Sequence, residues 1–262
     1  MITSYQNDQI KELRKLQQKR NRERFGLFAA EGEDLVEAAL EAGWQPKTLF
    51  CTELAPARLI AHDRAELVGI EVLDAASSLG SGSRVIGVFA HRWAEPADFE
   101  LAVYLDGVAD PGNIGTILRT ALAFADGPVI LGPGCADPFS PKAVRASMGA
   151  VFRRPPARAE LADLAATRIA LDGTADHLLT AADRGESTVI CVGSERDGLS
   201  ETVLTAADLR ARIAMRHGAP ESLNAAVAAA IALYELGGQV QSAVHASLPA
   251  GDPTGLPHSD QN

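Results

Sequence analysis

Apolar residues follow two patterns along the chain: one has a spacing of three or four residues, and the other consists of short continuous runs. The first pattern is typical of helices that bury one face, and the second is typical of buried strands. The two patterns alternate quickly in the amino-terminal part and predict a small α/β domain there. The predicted helices span 4–22, 32–42 and 56–67, and the predicted strands span 25–30, 47–52, 69–73 and 85–90.

A second α/β series follows the polar stretch HRWAEPAD, residues 91–98, which we interpret as a linker. Strand–helix alternation favours a mainly parallel sheet with helices on both faces, in which ligands bind at the carboxyl ends of the strands. We expect one domain over 1–95, a second over 96–238 and a disordered tail over 239–262. The strands predicted in the second domain span 101–106, 128–131, 151–154, 168–171, 188–193 and 210–214, and its last helix spans 222–236 and ends at Gly237 and Gly238.

The distribution of charge matters more than its total. A net charge of −10 speaks against a nucleic-acid partner, since phosphate binding needs clustered basic residues. One segment has such a cluster and could be either a solvated helix face or an arm that contacts a polyanion. Its basic residues are Lys11, Arg14, Lys15, Lys19, Arg20, Arg22 and Arg24.

The three cysteines, Cys51, Cys135 and Cys191, are far apart and form no CxxC pair. This spacing argues against a zinc site or a disulfide framework and indicates a reducing compartment. The first residues contain no apolar run typical of a signal peptide, and the run 223–233 is too short to span a bilayer. We therefore expect a cytoplasmic protein without a metal or a membrane partner.

The stretch DPGNIGTILRTA, residues 110–121, predicts a tight turn that leads into a helix. Asn113 is well suited to cap this helix, with Pro111 and Gly112 forming the turn before it. The apolar stripe leaves Arg119 on another face near the amino-terminal end, where helices favour anions. Taken alone, the pattern fits an anion site and a capped helix with a surface arginine equally well. The stripe consists of Ile114, Ile117, Leu118, Ala121, Leu122 and Ala125.

Two further segments follow predicted strands. In VGSERDGLSETV, residues 192–203, two glycines allow a ligand to approach the backbone closely, although an ordinary strand–helix connection with Ser200 or Thr202 as cap has the same pattern. In 215–236, Ser222 is a candidate cap for an amphipathic helix. That helix has a larger stripe that includes Val227 and Tyr234, and a second stripe of alanines that allows close helix–helix approach.

Four segments, taken in this order and spacing, resemble the SpoU (TrmH-like) family of RNA ribose 2′-O-methyltransferases in the SPOUT superfamily. They are DPGNIGTILRTA at 110–121, FSPKAVRASMGAVFRRP at 139–155, GSERDGLS at 193–200 and ESLNAAVAAAIALYE at 221–235. The resemblance is strong over about 100–236. It is looser in the amino-terminal part, where IKELRKL and FAAEGEDLVEAAL look like the family's RNA-binding, ribosomal-protein-L30e-like extension.

The resemblance implies a parallel sheet whose carboxyl-terminal segment forms a deep trefoil knot. It also implies S-adenosylmethionine as cofactor, RNA as substrate and a homodimer that shares its active site across the interface. The alanine face of the last helix is compatible with that dimer. The residues that the resemblance assigns to the cofactor are Leu171, Gly173, Thr174, Gly193, Ser194, Glu195, Gly198, Ile213, Met215, Ser222 and Leu223.

For catalysis the resemblance implicates Arg119, Asn113, Glu195, Ser222 and Asn224. A ribose hydroxyl must be held in line with the methyl group and must lose its proton. Because the arginine side chain stays protonated and has no acceptor atom, we expect Arg119 to grip phosphate and ribose while a phosphate oxygen takes the proton. Proton transfer to Arg119 itself stays open. Asn113 would orient the hydroxyl, and Glu195 would hold Arg119 or its own loop. Further RNA contacts are expected from Arg145 and Ser147.

Large-subunit ribosomal RNA is the favoured substrate because of the amino-terminal extension, and transfer RNA is the alternative. A non-catalytic RNA-binding or ribosome-assembly protein on the same fold is a second alternative, but the intact set of candidate catalytic residues speaks against it. A nicotinamide-dependent oxidoreductase is a third. The G-x-G at Gly132–Gly134 lacks the third glycine of a dinucleotide fingerprint, which speaks against it.

Overall fold

The computed structural model describes residues 1–80, 82–216, 218 and 222–246, and the chain forms two α/β lobes. The elements of the first lobe are α1 (Asp8–Lys15), α2 (Lys19–Phe25), β1 (Leu27–Glu31), α3 (Glu33–Glu41), β2 (Thr48–Cys51), α4 (Ala57–Ile60), β3 (Ala65–Leu67), α5 (Ile70–Ala76) and β4 (Val85–Ala90). Its sheet has the order β1-β4-β2-β3, and β4 pairs antiparallel with both of its neighbours.

The second lobe contains a parallel sheet in the order β10-β8-β9-β5-β6-β7. This arrangement confirms the expected α/β class, while the trefoil knot stays a prediction. The elements are β5 (Leu101–Leu105), α6 (Pro111–Phe124), β6 (Val129–Leu131), α7 (Pro141–Ser147), α8 (Ala150–Arg153), β7 (Ala157–Arg158), β8 (Thr167–Leu171), β9 (Thr188–Val192), α9 (Glu201–Ala206), β10 (Leu209–Ala211) and α10 (Ala225–Ala246).

The two lobes share one hydrophobic core. Phe28 of β1 packs on Phe139 of the second lobe with ring centroids 4.8 Å apart. Trp44 donates its indole N–H to the carbonyl of Phe152 at 2.8 Å. His91, in the predicted linker, stacks on Phe139 with the two rings 12° from parallel. Because aromatic side chains bury large apolar areas, this contact holds the lobes in a fixed relation.

The helix predicted over 4–22 is in fact two helices, α1 and α2, and Asn7 caps the first of them. Gln18 adopts an extended conformation at the break. The break turns the buried Arg22 back toward α1, where its guanidinium donates to the carbonyls of Leu16 and Gln17 at 2.7 and 2.9 Å. These carbonyls lie just past the helix end, where such groups have no partner within the helix.

Three segments of the first and second lobes have a different structure from the one predicted. Residues 69–73 and 151–154, predicted as strands, fall in the helices α5 and α8. The helix predicted over 56–67 is limited to α4, and β3 follows it. Apolar runs of four to eight residues fit a buried strand and a buried helical turn equally well, so periodicity could not separate them.

The last helix begins and ends later than predicted. Asn224, rather than Ser222, caps α10, since its side-chain oxygen accepts from the backbone N–H groups of Ala226 and Val227. The helix continues through Gly237 to Ala246, so residues 239–246 are helical, and 247–262 lie outside the described residues. A side chain at Gly237 would collide with the carbonyl of Phe124, which shows that this glycine permits close packing on α6.

No helix in the described part of the chain is long and apolar enough to cross a membrane.

Candidate active site

A cavity of about 680 Å³ lies at the carboxyl ends of β8, β9 and β10. Its walls are the loops that follow these three strands and the start of α10. All eleven residues that the sequence analysis assigned to the cofactor line this one cavity. Its volume falls within the range typical of small-molecule sites. Residues 217 and 219–221 of the third loop lie outside the described residues.

The loop after β9 folds back on itself in a tight turn. The backbone N–H groups of Ser194 and Gly198 each donate to the other residue's carbonyl, at 3.0 and 3.1 Å. A side chain at Gly193 would collide with the backbone of Gly198, which itself adopts a positive φ of 67°. The buried Asp106 at the end of β5 accepts from the N–H of Ser200 at 2.7 Å. These contacts define the conformation of the turn, which lines the cavity from Gly193 to Gly198.

Three candidate catalytic side chains meet at the wall of this cavity. Glu195 Oε1 accepts from Asn113 Nδ2 and from Asn224 Nδ2, both at 2.5 Å, and Asn224 Nδ2 also donates to Asn113 Oδ1 at 3.1 Å. The Asn224 side chain uses its two ends differently: Oδ1 accepts the capping hydrogen bond of α10, and Nδ2 donates to Glu195. One carboxylate thus ties together α6, the β9 loop and α10, which come from distant parts of the chain.

The position of Asn113 depends on Asp110, which the sequence analysis did not select. Asp110, not Asn113, caps α6: its Oδ1 accepts from the N–H groups of Gly112 and Asn113, and its Oδ2 accepts from Lys142 Nζ at 2.8 Å. The hydrogen bond from Lys142 lowers the pKa of Asp110, and those from the two N–H groups add to this effect. An aspartate just before a proline at the first helical position was the available signal. Asn113 lies inside the first turn, so its side chain is free to reach Glu195.

Arg119 lies apart from this cluster. It is exposed on α6 and forms no hydrogen bond or ion pair with any described residue. The expected contact between Glu195 and Arg119 is therefore not formed, and Glu195 holds the two asparagines instead. Ser222 lines the cavity without forming a described hydrogen bond to the cluster.

An apolar stripe on α10 lies near the exposed face of α6. Val227, Ile231 and Tyr234 are 47%, 39% and 66% exposed, and the Tyr234 ring packs edge-on against Phe124 of α6. The alanine stripe of α10 is buried within the chain, where α10 packs against α6. The alanine face thus serves packing inside the chain and is not a free surface for a second copy.

Two of the predicted RNA contacts are wrong. Arg22 is 3% exposed and forms an ion pair with Asp137 at 2.7 Å, so it holds the two lobes together. Ser147 is fully buried and donates to the carbonyl of Val144. The other predicted contacts are exposed: Lys11, Arg14, Lys15, Lys19, Arg20, Arg24 and Arg145.

Among the described residues, no cluster of histidine, cysteine, aspartate and glutamate could hold a metal ion.

Comparison with known proteins gives consistent matches over most of the chain. The chain is 32% identical to the 23S rRNA (guanosine(2553)-2'-O)-methyltransferase RlmP of Bacillus subtilis, over 90% of this chain and 99% of that protein. An rRNA methyltransferase from Sinorhizobium meliloti, solved with AdoMet bound, matches with a TM-score of 0.79 and 32% identity over 90% and 96% of the two chains. The SpoU methyltransferase AviRb from Streptomyces viridochromogenes, in complex with AdoMet, matches with a TM-score of 0.78 and 27% identity over 90% and 99%.

Two family models match different parts of the chain. Residues 7–80 match the MRM3-like substrate binding domain. Residues 100–234 match the SpoU rRNA Methylase family, and this range contains the cavity and the cluster of Asn113, Glu195 and Asn224. The chain therefore belongs to the SpoU rRNA methylase family.

Proposed function

We propose that this protein transfers a methyl group from S-adenosylmethionine to a ribose 2′-hydroxyl of 23S ribosomal RNA. The observation that carries the proposal is the meeting of Asn113, Glu195 and Asn224 at the wall of the cavity built by the three strand-end loops. RlmP, which matches nine-tenths of this chain, is named for the same class of reaction.

The cavity suits S-adenosylmethionine in size and in chemistry. Its apolar residues Leu171, Ile213 and Leu223 offer a surface for an adenine ring. Gly193 and Gly198 have no side chains, so a polar ligand can approach the backbone closely at these two positions of the turn. When bound, the cofactor supplies an activated methyl group.

The chain's own residues then position the ribose. The hydrogen bonds to Glu195 and Asn224 fix the Asn113 amide, which retains one N–H and one lone pair for a ribose hydroxyl. Arg119 presents a guanidinium whose planar donors fit a phosphate. A phosphate oxygen held there accepts the hydroxyl proton, because the guanidinium is already protonated and has no acceptor atom.

A homodimer is part of the proposal. The exposed stripe of Val227, Ile231 and Tyr234 is apolar, and its Tyr234 packs on Phe124 of α6, the helix that carries Arg119. A second copy seated on this stripe would bury it and would bring Arg119 toward the partner's cavity. This arrangement explains why Arg119 is unpaired among the described residues of a single chain. With an RNA substrate of this kind, we place the protein in the cytoplasm.

The first test incubates the protein with radiolabelled S-adenosylmethionine and either unmodified 23S ribosomal RNA or transfer RNA, followed by alkaline hydrolysis. Label in alkali-resistant dinucleotides from the ribosomal RNA is expected. If only transfer RNA yields labelled dinucleotides, transfer RNA rather than ribosomal RNA is the substrate. Cofactor binding without label in either RNA would favour a non-catalytic RNA-binding protein.

The role of Arg119 has its own test. Arg119→Ala should lower methyl transfer by orders of magnitude while S-adenosylmethionine affinity changes only a few-fold, since Arg119 does not line the cofactor cavity. Arg210→Ala is the matched control, because Arg210 is exposed and donates only to the carbonyl of Leu204. Near-normal turnover of Arg119→Ala would refute the assignment.

A further inference from the structure

A second cavity, of about 460 Å³, lies at the carboxyl ends of β6 and β7. We call it the inter-lobe groove, because Lys19 of the first lobe lines it together with residues 131–138 and 158–160 of the second. The β5 strand separates it from the cofactor cavity within the sheet order. Both cavities therefore open at the same edge of one parallel sheet, on opposite sides of β5.

At one wall of the inter-lobe groove, an arginine stacks on a tryptophan ring. The guanidinium carbon of Arg158 lies 3.9 Å from the centroid of the Trp93 ring, and Trp93 packs edge-on against Phe139 of the shared core. Arg158 is exposed and forms no hydrogen bond or ion pair with the described residues. Because Trp93 supports one face of the guanidinium, its other face and its donors remain available to a ligand.

Two further charged groups line the inter-lobe groove. Lys19 stands on the first-lobe side and has only a 3.9 Å contact with Glu23. Glu160 lies on the second-lobe side, and its carboxylate has no hydrogen-bond donor among the described residues. Asp137 also lines the groove, but Arg22 already neutralises it. The groove therefore offers a guanidinium supported by Trp93, a carboxylate without a donor among the described residues, and an ammonium in one exposed ion pair.

We propose that the inter-lobe groove holds an unpaired nucleotide of the RNA substrate. Its base stacks on the outer face of Arg158, a backbone phosphate contacts Lys19, and Glu160 accepts from an amino or imino group of the base. Single-stranded RNA is recognised in this way, through stacking on aromatic or guanidinium planes and hydrogen bonds to the base edge. The volume suits one nucleotide. The inference rests on the proposed function, since it needs an RNA substrate.

The location of the groove gives it a role in substrate positioning. Lys19 belongs to the basic segment of the first lobe, and residues 131–138 lead into α7, which packs across the start of α6 near Asn113. An RNA strand that runs from the basic segment to the catalytic cluster therefore passes the inter-lobe groove. A base held there fixes which nucleotide of the strand reaches Asn113.

The test compares two arginines that stack on tryptophans. Arg158→Ala removes the stack in the groove, and Arg92→Ala is the matched control, since Arg92 lies 4.5 Å over Trp44 but does not line the groove. The probe is an unmodified, fluorescently labelled 23S ribosomal RNA fragment, and its affinity is measured by anisotropy. We expect Arg158→Ala to weaken binding about tenfold, Arg158→Lys to weaken it by an intermediate amount, and Arg92→Ala to leave it unchanged. Thermal melting checks that each variant is folded.

A second measurement locates the RNA. In RNA that contains 4-thiouridine, crosslinks are expected to peptides with residues 131–138 or 158–160, and these crosslinks should disappear in Arg158→Ala. Equal RNA affinity of Arg158→Ala and Arg92→Ala, or crosslinks confined to other peptides, would overturn the groove proposal while methylation by the wild-type protein still stands. A wild-type protein that neither binds nor methylates RNA would overturn the proposed function together with it.

Discussion

Replacing Asp137 with asparagine tests how the two lobes are held together. Asp137 Oδ2 accepts from Arg22 Nε at 2.7 Å, and Asp137 Oδ1 accepts from the N–H of Phe139 at 2.9 Å. The Arg22 and Asp137 side chains are only 4% and 7% exposed. Asparagine has a single acceptor oxygen, so one of these donors must lose its partner, and the buried guanidinium loses its counter-charge.

The expected loss of unfolding free energy follows from the burial of the Arg22–Asp137 pair. Removing one partner of a buried ion pair costs about 3–5 kcal/mol of unfolding free energy, because an uncompensated charge stays buried. The matched control is Glu41→Gln, which removes a second ion pair between the lobes. That pair joins Arg153 and Glu41 at 3.8 Å, with side chains 59% and 70% exposed, and such exposed pairs contribute about 0–1 kcal/mol.

Urea unfolding followed by far-ultraviolet circular dichroism measures the loss of unfolding free energy in both variants. Asp137→Asn should also lower the melting temperature by on the order of 10 °C. The double variant Arg22→Met with Asp137→Leu should recover much of the loss, because it leaves no buried charge. The reasoning is refuted if Asp137→Asn costs no more than Glu41→Gln.

Three further predictions concern pH, thiol chemistry and salt. Burial lowers the pKa of His91 below its ordinary value, so the free energy of unfolding of the wild type should decrease as the pH falls below about 6.5. Urea titrations at pH 7 and pH 5 should show a smaller decrease for His91→Phe. Equal decreases in the two proteins would contradict this. Burial raises the pKa of Cys51 to about 11 and that of Cys191 to about 12. Iodoacetamide should therefore alkylate both thiols only after unfolding in urea, and rapid alkylation of the native protein would argue against the burial described. Charge reversal of the exposed Lys15 and Arg24 should weaken RNA binding and flatten its dependence on salt, and an unchanged slope would remove the basic segment from the interface.

Much of the candidate site could be predicted from the sequence, because four short segments resemble those of the SpoU family, whereas the pattern of each segment alone left its role open. In a parallel sheet the carboxyl ends of the strands meet at one edge, so loops far apart in sequence become neighbours. The glycine pattern around Gly193 and Gly198 was a local signal for a tight turn, and the structure has that turn.

Other features depend on distant partners that periodicity does not encode. Arg22 looks like its exposed neighbours in sequence, but its partner Asp137 is 115 residues away. The capping residues of α6 and α10 could not be predicted for a different reason. Asp110 and Asn113, and likewise Ser222 and Asn224, are all good capping residues, and only the side-chain contact distinguishes them.

The use of Asn224 both as a helix cap and as a partner of Glu195 has a consequence for the order of events during synthesis. Folding begins at the amino terminus as the chain is made. The cavity loops and Asn113 therefore leave the ribosome before Asn224 and α10 do, and Glu195 lacks one of its two asparagine partners until then. A chain that is still being translated thus has an incomplete candidate catalytic cluster. On the proposed function, a chain without Asn224 and α10 is therefore not expected to methylate ribosomal RNA.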